Sequence, residues 1–392
     1  MAARIVIVGG GAIGSSIAYF LTRSPDFCGT VQVIERDPTY ARASSSLSAS
    51  SIRQQFSTPL NIELSRFGLA FMREADRHLG TGDAGVDLAL REYGYLLLGT
   101  DAVWPVMTRV HGIQRGHDVE VALLSPEDLR ARFPWLNTDG LRGGSLGLAN
   151  EGWFDGPGLL QAFRRKARAQ GAEYIAREAV GFDRRGRKVE AVWLDDGSRI
   201  GCDVLINAAG PWAGHVAARF GVDLPVRARR RVVHVFDCQD KPAETMPLTF
   251  DPTGIWFRPE GMHYVTGSAP RGDEPDPDDL PLEYDPDDFE QTFWPALAER
   301  VPAFERIKWR GAWAGYYEVN TLDHNGVVGP HPDLDNVLFA NGFSGHGLQH
   351  SPGVGRAVAE LVTHGAYRSL DLSPLGFARI LKGEPYPEIN VL

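Results

Sequence analysis

Cysteine is scarce: Cys28, Cys202 and Cys238 are the only three among 392 residues, far apart, with no CxxC and no histidine at metal-ligand spacing. Neither a metal site nor a disulfide framework is implied, and a reduced compartment is expected. Basic residues are also in deficit, 40 against 50 acidic ones, for a formal charge of -10. That balance excludes a nucleic-acid partner, because phosphate binding needs a basic stripe. The arginine-rich pieces here (Arg164, Arg165 and Arg168; Arg227 to Arg231) are short and scattered. No apolar run reaches the roughly 18 residues of a membrane span. MAARIVIVGGG enters a strand at once, leaving no room for a signal or transit segment, so the expected location is cytoplasmic.

What is present suits a folded chain of more than one unit. Hydrophobic residues at 43% and charged residues at 23% are ordinary for a globular protein. The length exceeds the ~150 residues usual for one domain, so two are expected. Residues 4–8 form a β-branched run without polar alternation, as in a parallel strand covered on both faces. GGGAIG follows, in which Gly9, Gly11 and Gly14 match GxGxxG around Ala12 and Ile13, and then SSIAYFLT at helical period. The first glycine makes a tight turn, the second admits a pyrophosphate to the backbone, and the third packs helix on strand. A second apolar strand, 30–34, ends at Glu35, about 20 residues on, where a carboxylate takes the ribose hydroxyls of an adenosine. Glu35 does not separate NAD from FAD, since both carry the same ADP half. The loop TYARASSSLSASSIRQQF offers hydroxyls that could continue along a pyrophosphate.

Further along, 59–79 reads as one amphipathic helix capped by Ser57 or Thr58, and SPEDLRARF as a short helix with Ser125 and Asp128 in a capping box. Strands are expected at 93–98, 119–124, 143–148, 204–207, 229–237, 254–257 and 262–267. The acidic piece RGDEPDPDDLPLEYDPDDFE reads as a solvated loop before a helix over 289–300. Near the far end, NGFSGHGLQHSPGVGRAVAEL runs glycines and two histidines into a helix, with Ser351 and Pro352 suited to its N-cap and first position. The expected fold class is α/β. Residues 1–85, 145–225 and 325–392 form a Rossmann-type dinucleotide-binding domain, interleaved with an antiparallel-sheet substrate domain of residues 86–144 and 226–324.

IVIVGGGAIGSSIAYFL, AVGF, INAAGPWA and GYYEVNTLDHNGVVGPHPDLDNVLFANGFSGHGLQHSPGVGRAVAEL together resemble the D-amino-acid oxidase, glycine oxidase and sarcosine oxidase superfamily of FAD-dependent amine oxidoreductases. GFSGHG before a helix is typical of the sarcosine oxidase branch. RQQFSTPLNIELS is also similar to mitochondrial FAD-dependent oxidoreductases linked to assembly of respiratory complex I. The resemblance implies FAD, with Glu35 and Arg36 at the adenosine, Ser44, Ser45 and Ser46 at the pyrophosphate, and Val180 meeting the adenine through its backbone. Ala208, Ala209, Gly210 and Trp212 would follow the ribityl region, and Gly345, His346, Gly347, Leu348 and Gln349 the pyrimidine edge. Gly342, Gly345 and Gly347 would let backbone approach the ring, and the helix N-terminus would point at flavin N1 and the C2 carbonyl. Fixed N–H dipoles there stabilise the negative charge of a reduced ring.

The chain also departs from that family. Neither the linking cysteine near WAGYYEV nor the linking histidine within residues 41–55 is present, so the FAD is expected to be non-covalent. The family's oxygen-activating lysine falls at Val265, and its substrate-binding lysine at Gln349. Arg53 matches an arginine beside the flavin, and Arg258, His263 and Tyr317 are further candidates to meet the substrate, with His346 to polarise the flavin edge or substrate. His263 and Tyr264 alternate on a strand, so only one would face a cavity. The implied reaction is oxidation of the C–N bond of a small amino-acid or imino-acid substrate, an N-substituted glycine such as sarcosine, dimethylglycine or iminodiacetate, with O2 or another electron acceptor. The alternative is a flavoprotein assembly or subunit-interaction module. Nothing in the residues chooses between a monomer and an oligomer.

Overall fold

A computed structural model describes residues 3–82, 85–268 and 282–390. Strand β1 (Ala3–Val8), helix α1 (Ala12–Arg23) and strand β2 (Gly29–Ile34) make a βαβ unit whose strands pair in parallel, Val8 opposite Ile34. The runs are continuously apolar because both faces are covered. Ile5 and Ile7 pack with Ile17 and Val354 on one side, Val6 and Val8 with Leu205 and Phe220 on the other. The full sheet has six strands, in the order Val327–Pro330, Val337–Asn341, Val204–Asn207, β1, β2, Glu173–Ile175, all parallel except the first pair.

Helix α1 lies on this sheet, α2 (Pro59–Arg73) lies farther out, and α3 (Gly156–Ala169) packs against α1. A second sheet of eight strands is antiparallel apart from one pair. Its edge ladder joins β3 (Val226–Cys238) to β4 (Ile307–Asn320), Val226 opposite Asn320, and so carries chain from the second sheet back to the first. Strand Gly143–Gly147 pairs inside the second sheet and straddles the boundary expected at 144/145. The last long helix, α4 (Gly347–His364), packs on α1 and α2. Close approach requires Gly355, whose Cβ would lie 2.1 Å from Ser16 Oγ.

Several local expectations change. The 59–79 helix breaks at Glu74 into Pro59–Arg73 and Ala75–Leu79. Thr58 is its N-cap residue but does not cap it; the hydroxyl donates to Glu388 at 2.8 Å instead. The Ser125–Asp128 capping box forms. The 289–300 helix opens with a wide turn, Phe289–Phe293, before the α-helix Trp294–Arg300. Helix α4 starts at Gly347, four residues before the expected cap, with Pro352 inside it. Pro352 has no N–H to give the carbonyl of Leu348, and Ser351 Oγ donates to that carbonyl at 2.8 Å in its place. Much of the acidic loop, 271–281, lies outside the described residues. Among the described residues no helix is long and apolar enough to cross a membrane, and no cluster of ligands could hold a metal ion.

Candidate functional site

A cavity of about 710 Å³ runs between the two sheets, from the carboxyl ends of β1 and β2 to the N-terminus of α4. Its first end is backbone. Gly9, at φ +101°, turns the chain so tightly that a Cβ would sit 2.3 Å from the carbonyl oxygen of Ala208. Gly14 lies outside the cavity, and its Cβ would be 1.9 Å from the Gly9 carbonyl oxygen, so it is glycine for packing. Gly11 is different: the nearest atom to a Cβ there would be Ser45 Oγ, at 3.6 Å. No protein atom demands glycine at that place, whereas a pyrophosphate approaching the N-terminus of α1 does, and Ala12 and Ile13 line the same spot.

The surrounding side chains fit the same ligand. Ser45 Oγ accepts the Ala12 N–H at 3.1 Å, and Ser44 lines the cavity next to it with no partner for its hydroxyl among the described residues. Ser46 does not line the cavity. Glu35 accepts the N–H groups of Gly10 at 2.8 Å and Asp37 at 2.9 Å. Burial nevertheless raises its pKa above the ordinary carboxyl value. The Arg36 guanidinium lies 4.0 Å over the Trp212 ring, Trp212 meets Tyr316 edge-on at 5.4 Å, and Arg42 donates to the Tyr316 hydroxyl at 3.5 Å. This wall of stacked cations and rings fastens the end of β2 to β4. Ala208, Ala209 and Gly210 line the cavity beside it. Val180 does not: its side chain is exposed, and Glu178 and Ala179 line that stretch.

At the other end, Gly347, Leu348 and Gln349 form the first turn of α4, where N–H groups have no carbonyl behind them and the helix is positive. Gln349 Oε1 accepts the backbone N–H of Arg53 at 2.8 Å. The buried Arg53 guanidinium lies 4.1 Å over the Phe56 ring and donates to the carbonyls of Gln55 at 2.5 Å and Asn390 at 2.6 Å. Among the described residues no carboxylate lies within ion-pair distance of it. Tyr317 donates to the Ser344 carbonyl and carries the Arg231 guanidinium over its ring at 4.9 Å. Burial pushes its phenol up to about 12 despite Arg231 and Arg53. Tyr95, stacked on Phe250 at 5.5 Å, is pushed up to about 12 in the same way. His346, the residue before α4, is buried between Phe56 and His350 and held well below its usual pKa by burial and by Arg53, so it is neutral.

Other candidates fall outside this cavity. Arg258 is buried over Trp153 and engaged by Glu260 and the Ala49 carbonyl, because Glu260 follows two residues later on the same strand face. His263 stands half-exposed beside Asp237, and Tyr264 is packed against Phe236 and Phe304, so neither faces the cavity. The glycines near α4 also have a different cause from the one expected. Gly345, at φ +98°, leaves no room for a Cβ because the Tyr317 ring would be 2.2 Å away, and Gly342 faces Val226 off the cavity. Sequence reasoning missed Tyr95, Arg231, Phe250, Tyr316 and Glu318, all lining the cavity. Glu318 accepts the Phe343 N–H at 3.3 Å and is pushed up to about 7 by burial. Tyr316, Tyr317 and Glu318 all line the cavity although consecutive strand residues point to opposite faces, so alternation within GYYEVN offered no signal for them.

The model of the DAO family, FAD dependent oxidoreductase, matches residues 4–361. FAD-dependent oxidoreductase domain-containing protein 1 of Xenopus laevis is 43% identical over 100% of this chain and 85% of its own length. Monomeric sarcosine oxidase of Bacillus sp. (strain B-0618) is 25% identical over 92% of each chain. The crystal structure of L-proline dehydrogenase from P. horikoshii has a TM-score of 0.85 at 24% identity, covering 98% of this chain and 99% of that one, a likeness of fold.

Proposed function

The chain belongs to the DAO family of FAD dependent oxidoreductases, and from that premise we propose that it oxidises the C–N bond of a small secondary or tertiary amino acid. N-substituted glycines such as sarcosine, dimethylglycine and iminodiacetate are the class intended. The observation that carries this reading is Arg53, a buried cation lining the cavity beside the first turn of α4 and held, among the described residues, by carbonyls and a ring rather than by a carboxylate.

The residues present fit FAD held without a covalent link. Gly11, Ala12 and Ile13 would hold the pyrophosphate, Glu35 and Arg36 the adenosine, and the amides of Gly347, Leu348 and Gln349 the pyrimidine edge. Bound FAD would supply two-electron oxidation, accepting a hydride from the carbon beside the amine nitrogen, and water would hydrolyse the resulting imine to an amine and an aldehyde or oxo acid. Arg53 takes the substrate carboxylate in charge-assisted hydrogen bonds. Tyr317 and Tyr95 stay protonated across the working pH range. Neutral His346 adds no second cation beside an amine that must arrive unprotonated. Phe250 and Trp256 wall the site with apolar surface, and catalysis rests on positioning plus the field of α4.

Anaerobic mixing with a panel of N-substituted glycines tests the proposal. At least one should bleach the oxidised flavin absorbance, and methylamine, which has no carboxylate, should not. Inertness toward every amino acid, together with co-purification of a large complex, would replace this reading with that of an assembly subunit.

A further inference from the structure

Segment 386–390 belongs to no motif, yet it reaches the cavity arginine. Glu388 is 1% exposed, and its carboxylate accepts from Ser57 N at 2.8 Å, Ser57 Oγ at 2.6 Å, Thr58 N at 3.2 Å, Thr58 Oγ1 at 2.8 Å and Asn61 Nδ2 at 3.0 Å. It occupies the N-terminus of α2, the place that Thr58 leaves uncapped. Burial works to raise its pKa, but Arg53 and these donors bring it below the ordinary carboxyl value, so it is ionised. Two residues on, Asn390 Nδ2 donates to the Gln55 carbonyl at 2.6 Å, and the Asn390 carbonyl accepts from Arg53 at 2.6 Å. Both carbonyls that hold the Arg53 guanidinium are therefore tied to Asn390. The other side of the segment is moored in the protein body: Tyr386 N donates to Asp323 at 3.0 Å, and the buried Arg379 donates to the same carboxylate at 2.7 Å.

We propose that segment 386–390 is a positioning strap of the substrate site, in which Glu388 and Asn390 hold the Arg53 guanidinium ready for the substrate carboxylate. The inference rests on the reading of Arg53 given above. Preorganising a long cationic side chain removes the cost of ordering it at binding, so the strap acts on affinity for the carboxylate. Among the described residues none of its hydrogen bonds reaches the Gly9 to Gly14 turn.

The test uses the full-length, FAD-loaded protein and two probes without an amine, acetate and benzoate, whose binding is read from the perturbed flavin absorbance. Acetamide and benzamide serve as neutral controls. Asn390→Ala should raise the Kd of the acids and the KM of the amino acid that reduces the flavin by about tenfold. It should leave kcat, the Kd of FAD and the binding of the amides unchanged. Glu388→Gln should act in the same direction, with melting temperature recorded to separate folding from positioning. Arg53→Gln distinguishes the two levels of the argument. Should it leave acid binding intact, or should the native protein bind neither acid, the reading of Arg53 itself fails. If Arg53→Gln weakens the acids while Asn390→Ala and Glu388→Gln change only melting temperature or FAD affinity, or change nothing, the strap is refuted.

Discussion

The two ends of the cavity are built by different means. At the cofactor end, Gly9, Gly11, Ala12, Ile13 and Glu35 come from one βαβ unit, and the contacts are largely backbone, set by where a Cβ does or does not fit. At the end proposed for the substrate, Arg53, Tyr95, Phe250, Tyr317 and Asn390 come from five separate stretches of chain, and the contacts are side chains: Arg53 on the Asn390 carbonyl 337 residues away, Tyr317 on the Ser344 carbonyl, and Tyr95 stacked on Phe250. The difference teaches that a glycine turn for a dinucleotide can be fixed by local geometry, whereas burying a cation such as Arg53 and holding it still takes contacts from distant parts of the chain.

Substitutions inside the glycine turn sharpen this contrast most. Gly14→Ala drives a Cβ to 1.9 Å from the Gly9 carbonyl and should cost more than about 3 kcal/mol, the upper range of ordinary overpacking, read as a large fall in thermal midpoint. Gly11→Ala puts a Cβ in ordinary van der Waals contact with Ser45 Oγ, at 3.6 Å, and displaces nothing in the protein. It should leave the melting of the cofactor-free chain unchanged while weakening FAD by at least about tenfold, measured by flavin fluorescence. Equal destabilisation by both would erase the distinction between packing and ligand glycines.

Buried charge at the substrate end has a pH signature. Glu151 accepts from Gln54 N at 2.6 Å and Gln55 N at 3.0 Å, next to Arg53, and burial pushes it up to about 7 against those bonds. Below an ordinary carboxyl pKa both states are protonated. As the pH rises toward 7 the unfolded chain loses this proton and the native one keeps it, so stability falls over that window and levels off above it. The full effect of such a shift is on the order of 3 kcal/mol. Denaturant midpoints between pH 4.5 and 8 should show the fall, reduced in Glu151→Gln; a rise in stability over that window would contradict the assignment.

Arg53→Gln comes next, with an expected loss of about 100-fold in affinity for the substrate carboxylate, the scale of a charged hydrogen-bonded pair, and no change in FAD affinity by the same fluorescence assay. An equal effect on both ligands would dissolve the separation of the two ends. Tyr317→Phe removes only the hydroxyl bond to the Ser344 carbonyl and should lower kcat/KM by about fivefold; a null result in steady-state kinetics would leave Tyr317 a packing residue for Gly345.

The same contrast governs what could be read from sequence. β1, α1, β2 and the bond of Glu35 back to Gly10 were legible because their signals are a few residues long and follow one another in the chain. The start of α4 was misplaced by four residues because Pro352 mimics a helix opening, and only the Ser351 hydroxyl bond to Leu348 explains how it sits inside. Arg53 and Tyr317 were identified and do line the cavity, but Arg258 and His263 do not. The partner of Arg258 is two residues away on the same strand face, a signal that alternation offered. The partner of His263, Asp237, comes from a different strand, so only the sheet reveals it. Glu388 and Asn390 carried no signal, since their role depends on the chain returning more than 300 residues later.

A crystal structure of the chain with FAD and benzoate tests the shared cavity most directly. The account predicts the flavin pyrimidine edge against the amides of Gly347, Leu348 and Gln349 and the benzoate carboxylate on the Arg53 guanidinium. A flavin lying away from that turn of α4, or a carboxylate bound with Arg53 untouched, would contradict it.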